Sequence, residues 1–175
     1  MSILKVAQMG HPVLRARGRP LERADFGKPL FQKLIDDMIE TMREYSGVGL
    51  AAPQVHMSLR LFVALMEDDA DAKTTATVLA NPEIVPSADT REDGWEGCLS
   101  IPDIRGRVPR FTDVTVKALD RHGHEIVLRL TKFPARVAQH ETDHLDGVLF
   151  FDRMTSMESL TYLDEYSRFH AEDDD

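Results

Sequence analysis

His140-Glu141-Thr142-Asp143-His144 sets two histidines four residues apart, with a glutamate directly after the first. On a helix, residues four apart stand one above the other on one face, so both imidazoles can reach one metal ion. Glu141 lies about 100° further round and can aim its carboxylate at a water beside that metal. The layout suits a divalent ion that activates water, with a general base alongside. With 7 histidines and 12 glutamates in 175 residues, the pattern arises by chance about 0.02 times. A surface helix that merely happens to carry two histidines is therefore the weaker explanation.

A catalytic site usually takes three protein ligands and leaves one position for water, so a third must come from elsewhere. Gly94-Trp95-Glu96-Gly97-Cys98-Leu99-Ser100 is the outstanding source, because its glycines allow close backbone approach and Cys98 is the chain's one cysteine. A lone thiol also fits a small buried apolar residue or a nucleophile. As a ligand beside two imidazoles, it would make a soft tetrahedral site suited to Zn²⁺ or Fe²⁺. A third stretch, Gly47-Val48-Gly49-Leu50-Ala51-Ala52-Pro53-Gln54, reads as a close-packed turn leading into a strand. Its terminal amide, Gln54, can donate to an oxyanion, although an ordinary polar residue would look the same.

The elements that must carry these residues follow from periodicity. Leu30, Phe31, Leu34, Ile35, Met38, Ile39, Met42 and Tyr45 form a helical stripe ended by Ser46-Gly47, with its methionines as core fillers. Residues 59–65 and 77–79 read as short strands joined through an acidic loop at 67–73. Ile84-Val85 continues the second strand up to Pro86. Residues 114–119 and 125–130 flank Asp120-Arg121-His122-Gly123-His124 and predict a β-hairpin, which makes His122 and His124 exposed turn residues and not ligands. The histidine-pair helix is expected to start near Pro134 and stop at Gly147, with Phe133, Val137, His140 and His144 on one face. A final helix is expected from about Ser156 to Phe169. The class is α+β: short, mostly antiparallel strands around a central metal-binding helix, with N-terminal and C-terminal helices.

Composition narrows the role. One domain over residues 1–175 is expected, and 42% hydrophobic with 29% charged residues is ordinary for a soluble protein. The net charge of −9 disfavours nonspecific nucleic-acid binding, although a local basic patch could survive it, and no direct sequence-specific binding is expected. Residues 67–71 and the acidic tail 171–175 read as solvated, with the tail disordered. No run of 18 apolar residues predicts a membrane span, and Met1 to Met9 lacks the look of a secretory signal, so a cytoplasmic address is expected. A single cysteine excludes an internal disulfide framework.

Together the three stretches resemble the peptide deformylase family. The match is GVGLAAPQ at 47–54, EGCLS at 96–100 and QHETDHLDG at 139–147, in that order. It extends from Met9-Gly10-His11-Pro12 to the final helix, an ending similar to the form common in Gram-negative bacteria and organelles. The resemblance implies removal of the N-formyl group from the initiator methionine of new polypeptides. It implies Cys98, His140 and His144 as ligands of one divalent ion: Fe²⁺ in the cell, with Zn²⁺, Ni²⁺ or Co²⁺ accepted in vitro. It makes Glu141 the acid–base catalyst and gives the oxyanion hole to Gln54 and the backbone N–H of Leu99.

The resemblance places Val48, Gly49 and Arg105 along the bound peptide, which adds like an extra strand. Phe133 and Val137 share the face of His140 and are expected to wall an apolar pocket for the first side chain. Lys132-Phe133-Pro134 departs from the family's usual glycine and apolar pair at that pocket's rim. The implied partners are N-formylmethionyl nascent peptides and the ribosome near its exit tunnel. Two rival readings have their own marks. A zinc metalloprotease would take a third ligand downstream of His144, where Asp152, Glu158 and Asp164 have no accompanying signature. A non-enzymatic metal-binding module would close the site with a fourth ligand.

Overall fold

The structure, a computed structural model, describes residues 2–67 and 75–171. The expected acidic loop beyond Glu67 and the tail beyond Ala171 therefore lie outside the described residues. Among the described residues the α-helices are, in chain order, α1 (Arg23–Phe26), α2 (Pro29–Glu44), α3 (Lys132–Leu145) and α4 (Leu163–Phe169). The strands are β1 (Gly49–Ala51), β2 (Leu61–Ala64), β3 (Thr77–Pro86), β4 (Arg91–Cys98), β5 (Ile101–Phe111), β6 (Asp113–Leu119), β7 (Glu125–Thr131) and β8 (Thr161–Tyr162). One antiparallel sheet has the order β1-β2-β3-β6-β7, and a second has the order β4-β5-β8. The α+β class is as expected.

Strand alternation explains why the larger sheet is covered on both faces. All four residues of β2 are buried. Leu61 and Val63 join a cluster with Ile35, Met38 and Met42 of α2. Phe62 and Ala64 point the other way, into a cluster with Ala135, Val137, Ala138 and Leu145 of α3. Ile35, Met38 and Met42 are spaced by three and four and are fully buried. Burying each contributes roughly 1.5–3 kcal/mol relative to leaving it in water. α3 is therefore fixed against a sheet along its apolar side, while Arg136, His140 and Asp143 reach the smaller sheet.

The expected β6–β7 hairpin is present, with Val114 opposite Leu130 and Gly123 in its turn at φ +82°. His122 and His124 are exposed, and both of their N–H groups donate to Asp120. α3 ends at Leu145, and Gly147 takes φ +74°, the left-handed turn expected beyond a helix end.

Two expectations need correction. The chain from 156 to 169 is not one helix: Thr161-Tyr162 pairs with Ile104 and Arg105 as β8, and only Leu163–Phe169 is helical. Backbone pairing to β5 competes with helix formation there and prevails. The stretch 47–54 holds its strand inside it, at Gly49–Ala51, and closes in a 3-10 turn at Ala52–Val55. Phe133 lines the same cleft as Val137 and His140 and is half exposed there. No described helix is long and apolar enough to cross a membrane.

Candidate active site

The β4–β5 hairpin reverses over only Leu99-Ser100, which delivers Cys98 to its tip. α3 presents His140, Glu141 and His144 on the side facing that tip. Two N-terminal contacts fasten the remaining wall: Ala7 N–H donates to the Gln54 carbonyl (2.7 Å) and Met9 N–H to the Ser100 carbonyl (2.8 Å). One extended segment thus ties the 3-10 turn bearing Gln54 to the hairpin bearing Cys98.

The ligand atoms of Cys98, His140 and His144 lie within 4.8 Å of one another, and all three residues are buried. Cys98 Sγ is 3.2 Å from His144 Nε2. His140 Nδ1 is 2.8 Å from Glu96 Oε2, which leaves its Nε2 edge for the cluster. A carboxylate behind a histidine fixes its tautomer and ring orientation, the usual support of a metal-bound imidazole. One thiolate and two imidazoles in this spacing fit a single transition-metal ion, and three protein donors is the number that catalytic sites use.

The electrostatics of the thiol agree with that fit, since the thiolate is the form that binds a metal. Burial pushes the Cys98 thiol up, but His144 and His140 beside it outweigh burial and hold it well below the ordinary thiol range. Burial disfavours His140 as a cation, yet its bonds to Cys98 and Glu96 draw it well above an ordinary histidine. Burial also acts against ionised Glu96, and hydrogen bonds from His140 and Arg110 overcome it and keep the carboxyl well below its usual range. Glu141 differs: burial drives it up to about 7, only partly offset by the nearby histidines. Its Oε2 is buried with no hydrogen-bond partner among the described residues. A carboxylate poised near neutrality can both take and return a proton.

Gln54 is 1% exposed. Its Oε1 accepts from Ala51 N–H (2.8 Å), so its amide nitrogen is turned towards Ser100 Oγ (3.3 Å) and Cys98 Sγ (3.5 Å). A cleft of about 700 Å³ opens onto this cluster. Val48, Gly49, Leu99, Arg105, Phe133 and Val137 all line it, together with Gln54, Cys98, His140 and Glu141. Val137 is buried while Val48 and Phe133 stand half exposed at the mouth. Arg105 packs on Gly97, with its Nε 2.8 Å from where a β-carbon at 97 would sit.

Behind the histidines runs a charge network that sequence reading did not single out. Arg110 holds Glu96 through Nε (2.8 Å) and Nη2 (3.1 Å) and reaches Asp143 through Nη1 (2.6 Å). Arg153 closes on the far side of Asp143 (2.7 Å). The signal for Glu96 was present: it stands two residues before Cys98, on the same strand face. Trp95 and Leu163 also line the cleft. Trp95 packs edge-on against Tyr166, with ring centres 5.1 Å apart, which seats α4 beside the opening.

A central helix and a hairpin tip that bring Cys, His and His together beside a buried carboxylate define a metal-dependent hydrolase of α+β fold. The comparisons make the class specific. The polypeptide deformylase family profile matches residues 3–160. Peptide deformylase 2 of a Nostoc species is 41% identical over 168 residues, covering 94% of this chain and 93% of the relative. The peptide deformylase of Dehalococcoides mccartyi is 44% identical over 160 residues, covering 91% of each. A class I type b peptide deformylase from Acinetobacter baumannii, solved with Met-Ala-Ser bound, superposes with a TM-score of 0.81. It is 40% identical, and the match covers 88% of this chain and all of that one. This chain belongs to the peptide deformylase family, and with that membership it is an enzyme, a metal-dependent hydrolase of N-formyl groups.

Proposed function

We propose that this chain removes the formyl group from N-formylmethionyl nascent peptides in the cytoplasm, near the ribosomal exit, with Fe²⁺ held by Cys98, His140 and His144. The observation that carries the reading is the convergence of those three donors, Glu141 and the Gln54 amide at the inner end of one cleft. When bound, the ion supplies Lewis acidity that activates water and polarises a carbonyl.

The chain's own groups do the rest. Glu141 takes the proton of the attacking water and returns it to the departing amine, a transfer suited to a carboxyl lifted to about 7. Gln54 Nε2 and the Leu99 N–H donate to the oxygen on which negative charge grows, and such a donor is typically worth about 10²–10³ in rate. Val48 and Gly49 offer backbone to the peptide, and Arg105 its guanidinium. Phe133 and Val137 exclude water from the first side chain. The Acinetobacter baumannii relative solved with Met-Ala-Ser supports placing methionine first.

The test is metal content of anaerobically purified protein, measured beside formate release from formyl-Met-Ala-Ser. One iron per chain with turnover is expected, and one ion without formate release overturns the assigned activity. Thiolate and ferrous iron are both open to oxidants, so iron-loaded protein should lose activity in air faster than nickel-loaded protein. Equal lifetimes overturn the choice of iron.

A further inference from the structure

Arg136 stands one helical turn before His140, and its guanidinium faces the backbone of Gly94 on β4. A β-carbon at 94 would meet Arg136 Nη2 at 2.7 Å, Cζ at 2.8 Å and Nε at 3.0 Å, so glycine is what admits the group. Nη2 donates to the Glu92 carbonyl (2.7 Å). Nη1 is shared among the Val108 carbonyl (2.7 Å), Glu96 Oε1 (3.1 Å) and the Gly94 carbonyl (3.3 Å). One side chain thus joins α3 to both strands of the hairpin that carries Cys98.

Glu96 is therefore gripped from two sides. Arg110 draws it towards Asp143, and Arg136 draws it towards the hairpin backbone. Its Oε2 meets His140 Nδ1. Arg110 takes both carboxylate oxygens and sets the plane of the group. Arg136 adds a second donor to Oε1 and, through its bonds to the Glu92, Gly94 and Val108 carbonyls, fixes where that plane stands relative to α3 and to the imidazole that leans on it.

We propose that Arg136 is a positioning residue for the metal ligand His140, acting through Glu96. The proposal rests on the metal-site reading above. Partners one step behind a metal ligand typically hold about 10–100-fold of metal affinity.

The test is zinc affinity of the full chain by competition with a chromophoric chelator. Arg136→Met keeps the stem and should weaken zinc binding about tenfold. In a Glu96→Gln background the same substitution should add less than about twofold, because the relay is already cut. Arg121→Met removes bonds to Gln32 and Asp36, away from the site, and should leave zinc affinity unchanged. Arg136→Lys keeps charge and fold but cannot span the carbonyls and Glu96 together, so it too should bind zinc more weakly. It decides the matter if Arg136→Met does not fold. Unchanged affinity in the Arg136 variants overturns the proposal, as does an undiminished effect in the Glu96→Gln background or an equal loss in Arg121→Met. Wild-type protein that binds no zinc overturns the metal site itself and this inference with it.

Discussion

Gly49 and Glu141 share one space: the Glu141 carboxylate lies where a side chain at 49 would begin, with Cδ 2.7 Å from that β-carbon position. The glycine of the first motif is thus the seat of the carboxylate in the third, the group proposed as acid–base catalyst. Gly49→Ala should push Glu141 off its line while leaving the three ligands in place. Displacement on the order of 1 Å costs about 10²-fold in rate. Steady-state kinetics and metal analysis together check this, and an unchanged kcat would show that Glu141 needs no such seat.

Glu141→Gln should keep one metal ion per chain and lose turnover by about 10²–10⁴-fold. The residue is next to His140 in sequence but is assigned as base and not as ligand. Loss of the metal, with activity recovered on reloading, would contradict that assignment.

Lys132 takes φ +51° at the start of α3, in the left-handed region that favours glycine. A left-handed L-residue costs about 1–2 kcal/mol, and glycine loses about 0.5–1 kcal/mol more chain entropy on folding. Lys132→Gly should therefore stabilise the protein by about 0.5–1 kcal/mol, and Lys132→Ala should not. Urea midpoints of the two variants measure the difference. Equal midpoints would mean the backbone carries no strain there.

Asp25 accepts from Lys28 Nζ (2.7 Å), Glu22 N–H (3.0 Å) and Arg19 Nη1 (3.1 Å). The Lys28 bond, then the Glu22 bond, outweigh burial and hold its carboxyl well below the ordinary 3.8. A depressed folded-state pKa means stability that is present above the unfolded value and lost as pH falls through the folded one. The stability deficit of Asp25→Asn should be full near neutrality and shrink below about 3.8. It should also shrink with salt, because Lys28 and Arg19 are exposed. A deficit constant from neutral to acid pH would exclude this source.

How much of this was legible differs residue by residue. The His140–His144 pairing follows from helix period alone, so four-residue spacing was sufficient to place both imidazoles on one face. Cys98 carried its own signal as the lone thiol directly after Gly97, and the motif order brought Gln54 and Gly49 with it. Arg136 gave no such sign. Its partners lie 28 to 44 residues away on a hairpin whose pairing local pattern does not reveal. The segment from 156 to 162 misled for a related reason. Met157, Leu160 and Leu163 are spaced as on a helix, but the unpaired edge of β5 captured Thr161-Tyr162. Local periodicity is silent about long-range partners.

The first side chain of the substrate should be read by Val137, with Val48 and Phe133 at the mouth of the same pocket. Val137 is buried one turn before His140, so an apolar chain entering beside the ligands meets packed hydrocarbon there. Phe133 lies a further turn along the helix and half exposed on the same cleft, so a long flexible chain is the kind it is expected to cover. A thioether chain is long, unbranched and polarizable, which suits such a wall. Formyl-Met peptides should exceed formyl-Ala peptides in kcat/KM by more than about tenfold, or ~1.4 kcal/mol, a modest demand on burying about two extra methylene-sized groups. Phe133→Ala should reduce that preference, chiefly through KM for the formyl-Met peptide. Comparable efficiency on both peptides in the wild-type enzyme would remove Val48, Phe133 and Val137 from the recognition of the first residue.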